Sequence, residues 1–160
     1  LDELAKRFGV DLPPTLIELY SASNGMREII DYANEPFAIL PASDVRWLHE
    51  LDQNMVDLWT TERFHPSDDK YFVYGKDQDP SIRTDYVKRL IALTPVVDGG
   101  VECLNPAVRF PDGELEAWDF SVKYLGARRY KSLATLLEEK CASDCWLLDY
   151  WSITHEHEKT

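Results

Sequence analysis

Apolar positions at the start of the chain repeat with a helical period. Leu1, Leu4, Ala5 and Phe8 fall at i, i+3, i+4 and i+7, which predicts a helix closed by Gly9. A second helix is predicted from Leu12-Pro13-Pro14, because proline suits a first helical turn whose N–H groups have no partner. Leu16, Leu19 and Tyr20 give it an apolar stripe, and Ser23-Asn24-Gly25 ends it. Phe37 to Pro41 reads as a short strand. Ser43 is expected to cap a helix through Val45, Trp47 and Leu48, with helix continuing over 52–61 and a polar loop around Pro66.

The second half changes period. Tyr71-Phe72-Val73-Tyr74 and Leu90 to Val97 read as strands, separated by a polar loop that holds Asp77, Asp79 and Pro80. Asp98-Gly99-Gly100 predicts a turn into a strand over Val101 to Leu104, ending at Asn105-Pro106. Val108-Arg109-Phe110 is a short piece. Asp112-Gly113 predicts a second hairpin turn, and Leu115, Ala117 and Trp118 the strand after it. Ser132 is expected to cap a helix through Leu133, Leu136, Leu137 and Lys140. Trp146, Leu147, Leu148, Tyr150 and Trp151 predict a last helix, with residues 152–160 as a frayed tail. Helices, then hairpins, then helices predict an α+β fold: an antiparallel, meander-like sheet flanked by N- and C-terminal helices in one domain over residues 1–160.

Composition narrows the function. The chain has 160 residues and a net charge of −12, with 44% hydrophobic and 29% charged residues, a globular balance. Acidity of this size disfavours nucleic acid and anionic membranes and favours a basic protein partner. Residues 1–60 carry the largest share, with 11 acids against 4 bases. No apolar run is long enough for a membrane span, and no signal-peptide pattern opens the chain, so a cytoplasmic protein is expected. The chain opens on Leu1 rather than Met, as a trimmed start or a domain cut from a longer chain would. Three cysteines, Cys103, Cys141 and Cys145, do not make a disulfide framework. Cys141 and Cys145 would share a helix face, but a zinc site needs two more ligands, and His155 and His157 lie in the tail; no metal and no cofactor are expected.

Catalytic motifs are missing: the chain has no Gly-rich phosphate loop, no HExxH and no GxSxG. A nucleophile pair of Cys103 with His49 or His65 has no local support, and a core cysteine is the ordinary reading. Carboxylates gather around the hairpins at Asp98, Glu102, Asp112, Glu114, Glu116 and Asp119. Glu114 and Glu116 alternate with Leu115 and Ala117, so they share a sheet face that is either solvated or turned to a partner. A non-catalytic protein is expected, with Asp77, Asp79, Asp98, Glu102, Glu114 and Glu116 as the candidate contact residues.

Four segments in order resemble the SUKH superfamily, also called the Smi/Knr family, over roughly Leu1 to Lys140. They are Leu12-Pro13 with Asn24-Gly25; Ile39-Leu40-Pro41; Leu104-Asn105-Pro106 with Asp112-Gly113-Glu114-Leu115-Glu116-Ala117-Trp118; and Gly126-Ala127-Arg128-Arg129-Tyr130-Lys131-Ser132-Leu133. Leu115 stands where tryptophan is common in the family. The resemblance implies a binding domain. Many bacterial members look like immunity proteins that neutralise toxins, often nucleases, while fungal members resemble regulatory hubs in cell-wall signalling. A basic toxin domain is the partner it implies, and specificity would lie in the long segment from Leu51 to Lys88. The motif residues themselves, Leu12, Pro13, Asn24, Gly25, Asn105, Pro106, Gly113, Trp118, Arg129 and Tyr130, read as structural. Asn24-Gly25 stops a helix, Gly113 makes a turn, Trp118 anchors the core or lines a groove, and Arg129 is expected to pair with Glu114 or Glu116.

Overall fold

The computed structural model describes residues 1–30 and 36–140. Helices α1 (Asp2–Phe8) and α2 (Pro14–Ala22) come first, followed by a hairpin of β1 (Met26–Ile30) and β2 (Pro36–Ile39). Next come β3 (Arg46–Trp47), α3 (Leu48–Leu51), α4 (Gln53–Thr60), α5 (Asp68–Tyr71) and α6 (Thr84–Val87). The rest is β4 (Ile91–Ala92), β5 (Gly100–Arg109), β6 (Leu115–Ser121), β7 (Gly126–Tyr130) and a helix α7 over residues 133–140. Strands β3 to β7 lie side by side in chain order, each antiparallel to the next, so this is an α+β meander with helices before and after it.

Local signals place the ends. Gly9 closes α1 in the left-handed region at φ 62°, its N–H on the Ala5 carbonyl. Asn24 Oδ1 accepts the Ala42 N–H at 3.1 Å. Gly25, at φ 88°, sits so close to β2 that a Cβ would come within 2.7 Å of the Ile39 carbonyl oxygen, so only glycine fits. Pro13 opens α2 without a side-chain cap. Glu114 supplies one from the hairpin instead: its Oε1 accepts both the N–H (2.8 Å) and the hydroxyl (2.7 Å) of Thr15. Leu12 is half-buried and Pro13 buried beneath this contact. Ser132 caps α7 through the Thr135 N–H at 3.1 Å.

The sheet is covered on both faces. On one, Trp118, Phe120 and Cys103 pack against Leu48, Met55, Val56, Tyr71, Ile82 and Val87. On the other, Leu104, Leu115, Ala117 and Tyr130 pack against Leu4, Phe8, Leu16, Leu133 and Leu136. Every residue of β6 is therefore buried, its acids included. Complete burial of Trp118 or Phe120 is worth about 3 kcal/mol relative to exposure.

Several expected elements differ. Ser43 lies in an exposed turn, and the segment after it enters the sheet as β3, because Arg46 and Trp47 pair with Ala92 and Ile91. Leu90 to Val97 contributes only Ile91–Ala92 to the ladder, with a separate bridge from Val97 to Gly100. Strand β5 runs on past Asn105 to Arg109. Its register breaks where Pro106 has no N–H to give: Asn105 faces Glu116, and pairing resumes at Arg109 opposite Leu115. Val108-Arg109-Phe110 is thus mostly the far end of the same strand. The Tyr71 to Tyr74 segment is not a strand: Tyr71 ends α5 and Tyr74 lies in the loop after it. Cys141, Cys145, His155, His157, the last helix and the tail all lie outside the described residues.

Candidate functional site

Glu116 is wholly buried, and its carboxylate collects four donors. Tyr71 Oη (2.7 Å), Asn105 Nδ2 (2.8 Å) and Trp118 Nε1 (2.6 Å) donate to Oε2, and Tyr74 Oη donates to Oε1 at 2.8 Å. None of the four is a cation. Asn105 is delivered by register, being the cross-strand partner of Glu116. Tyr71 comes from the end of α5 and Tyr74 from the loop after it, and the chain's turn at Phe72 lets both hydroxyls reach the same carboxylate. In a strand, odd spacing would have sent them to opposite faces. Burial first, then the Glu116 charge, raise both tyrosines above the ordinary phenol range.

Arg129, also wholly buried, fastens the same loop from β7. Its guanidinium donates to the carbonyls of Tyr71 and of Asp79 (2.8 Å), and its carbon lies 4.1 Å from the centre of the Tyr71 ring. Arg83 covers the same ring at 4.5 Å, so Tyr71 is held between two cations. The expected pairing of Arg129 with Glu114 or Glu116 gives way to main-chain carbonyls, since neutral donors already fill the Glu116 carboxylate. The Arg129 N–H goes to Gln78 Oε1 (2.7 Å), and the Ala127 N–H to the Pro80 carbonyl (2.9 Å). Gly126 lies so near that carbonyl that a Cβ would sit 2.0 Å from its oxygen.

The loop over residues 66–81 is therefore latched to the sheet at Tyr71, Tyr74, Gln78, Asp79 and Pro80. Around the latches it exposes the side chains of Asp68 and Asp69 on α5 and of Asp77 and Asp79 after it, alongside Lys70 and Lys76. Asp68 reaches back to Arg83. Asp79 accepts the Ser81 N–H at 2.7 Å, and hydrogen bonding to Ser81 holds its carboxyl below the usual range. A groove of about 590 Å³ runs beside the loop, lined by Gly75, Lys76, Gln78, Pro80, Arg128 and Glu139.

The remaining predicted contact residues separate from this loop. Glu102 and Asp119 face each other across β5 and β6 on the opposite face of the sheet. Lys140 reaches them from α7 at 2.7 and 3.3 Å, and Thr94 donates to Glu102 at 2.8 Å. Burial raises Asp119 above its ordinary value. Burial pulls Lys140 down, but Glu102 and Asp119 outweigh it and hold the ammonium above its usual range. Asp98 occupies the hairpin turn at φ 49° and pairs with Lys123 at 2.8 Å. Asp112 is exposed and takes the Glu114 N–H at 3.1 Å across the turn that Gly113 completes at φ 89°. Glu114 and Glu116 are both buried, so neither forms the solvated or partner-facing surface that alternation suggests. The structure keeps Asp77 and Asp79 exposed together, and adds Asp68 and Asp69, which sequence reasoning missed; the density of acids from 68 to 79 was the available signal.

Cys103 is buried and free, and burial raises its thiol, which opposes thiolate chemistry. Among the described residues no group of three or more His, Cys, Asp or Glu side chains is placed to hold a metal ion, and no helix is long and apolar enough to cross a membrane. No protein-family model matches the chain, and neither the curated proteins nor the solved structures give a match.

Proposed function

We propose that this chain is a non-catalytic binding domain of the immunity type, acting in the cytoplasm by covering the basic surface of a cognate toxin domain, of the nuclease kind. One observation carries the reading: four exposed acids ride on a segment latched to two wholly buried side chains, to Glu116 through the Tyr71 and Tyr74 hydroxyls and to Arg129 through main-chain carbonyls. A loop fixed before encounter loses little conformational freedom on binding, so its charges can be matched to a partner at low cost. A nuclease is basic where it holds phosphate, which suits a chain of net charge −12. The SUKH-like motifs fit this reading, because Asn105, Trp118 and Arg129 belong to the latch rather than to a reactive centre.

The test is stopped-flow association with purified candidate toxin domains. The association rate is expected to fall at least tenfold between low and physiological salt. The pair Asp77→Lys with Asp79→Lys is expected to lower it further; because Asp79 also accepts the Ser81 N–H, Asp79→Asn, which keeps an acceptor there and removes only the charge, is the control for the fold. A salt-insensitive rate, or full affinity after charge reversal, would remove this loop from the interface.

A further inference from the structure

Three apolar side chains from three separate segments are left in solvent around one groove. Leu58 on α4 is 66% exposed, Phe64 in the following loop 52%, and Leu125 80%. Leu125 follows a short 3-10 turn and is held in the left-handed region at φ 55°, a conformation leucine rarely adopts. With Trp59, Ile82 and Glu62 they line a groove of about 400 Å³. The indole N–H of Trp59 is buried and has no acceptor among the described residues. Glu62 is the one charged residue of the lining, and it makes no ion pair among the described residues, whereas neighbouring Arg63 is taken by Asp85 at 3.1 Å.

The groove borders the acidic loop. Phe64 and Ser81 line it, and both also line a smaller cavity shared with Lys70, Tyr71 and Asp79. An apolar centre beside a charged border is the usual layout of a protein interface, in which a few buried anchors supply most of the affinity.

We infer that the groove between Leu58, Phe64 and Leu125 receives an apolar anchor side chain of a basic protein partner, with Lys or Arg beside the anchor meeting Glu62. The inference rests on the reading of the chain as a binder of a basic protein, and it adds the contact that would hold the partner after charge has brought it in.

The test uses the full chain and a matched set of short synthetic peptides, either Lys/Arg-rich or uncharged, each with a central Trp or Ala. Affinities are read by fluorescence anisotropy. Within the basic pair, Trp is expected to bind about tenfold more tightly than Ala, as burial of one large apolar side chain allows. Leu58→Gln with Leu125→Asn should abolish that gain and leave the Ala peptide unchanged. Asn suits the left-handed site, so this variant keeps the fold. Equal binding of the Trp and Ala peptides, or a gain that survives the double variant, overturns the inference. The reading beneath it is scored separately by comparing the basic and uncharged Ala peptides on wild type and on Asp77→Lys/Asp79→Lys; if charge makes no difference there, the basic partner falls whatever the anchor does. Self-association in sedimentation that Leu125→Asn abolishes would assign the groove to a second copy. A photo-crosslinker at position 125 that captures residues 141–160 of the same chain would assign it to that segment. Either result overturns the inference.

Discussion

The sheet buries acids on both faces and satisfies them in opposite ways. Glu116 sits beside Trp118 and is met by two phenols, an amide and an indole, all neutral. Glu102 and Asp119, on the other face, share one cation, Lys140, whose side chain remains about a third exposed. Neutral donors fix direction, and buried away from water they are not screened by salt. A shared ammonium fixes charge balance but tolerates movement, and water and ions reach it. The first arrangement suits a latch that must hold a loop in one place. The second suits a strut tying α7 to the strands.

The contrast breaks most sharply at Glu116. Replacing it with Ala leaves Tyr71, Asn105 and Trp118 with buried donors and no acceptor, and should cost about 4 kcal/mol, read as a fall in urea midpoint. Because the Tyr71 and Tyr74 latches go with it, while those from Arg129 and Ala127 remain, partner association should weaken under conditions where the chain still folds. Lys140→Met should cost about 2 kcal/mol by stranding two acids. Adding Glu102→Gln and Asp119→Asn should restore most of that loss, whereas no charge removal should rescue Glu116→Ala.

Tyr71→Phe should cost about 1 kcal/mol at neutral pH and sharpen the comparison at alkaline pH. The Tyr71 phenol is raised above its ordinary 10.0, so above that pH the unfolded chain releases a proton that the native chain retains. Stability then falls by about 1.4 kcal/mol per pH unit for this group, and Tyr71→Phe should flatten the fall by that much. Lys140 acts in the same direction: its contribution is complete below 10.5 and is lost as pH rises through its higher native value. The smallest effect is that of salt. Raising it should weaken the Lys140 contribution by about 0.5 kcal/mol or less and leave the Glu116 contribution unchanged, measured as the difference between variant and wild-type urea midpoints.

Much of the architecture was legible because its signals are local. Gly9, Asn24-Gly25, Asp98-Gly99, Asp112-Gly113 and Ser132 each mark an end or a turn that the structure contains, and the order of helices and hairpins indicated α+β. The site was less legible. Alternation along β6 implies a wet face only if one side of the sheet meets water, and here helices cover both, so Glu114 and Glu116 were read outward when they point into the fold. Tyr71-Phe72-Val73-Tyr74 has strand composition, yet the chain leaves a helix there and both tyrosines turn to one buried acceptor, Glu116, 42 or more residues further along the chain. Arg129 was matched to acids by charge, while the geometry offered it carbonyls. Such long-range pairings leave no periodic trace in a sequence.

The latches on loop 66–81 leave a gap. Tyr74 and Gln78 are both anchored, and between them lie Gly75, Lys76 and Asp77, all exposed; the Gly75 carbonyl accepts from the Gln78 N–H at 3.1 Å, and a Cβ at Gly75 would touch nothing. Gly75 itself is held in the left-handed region at φ 83°, which favours glycine, so replacements at Lys76 and Asp77 are the ones that would alter the displayed chemistry without disturbing the mount beneath it. The exposed chemistry of these two positions is thus free to change, while the framework that holds them stays under a separate and stricter constraint.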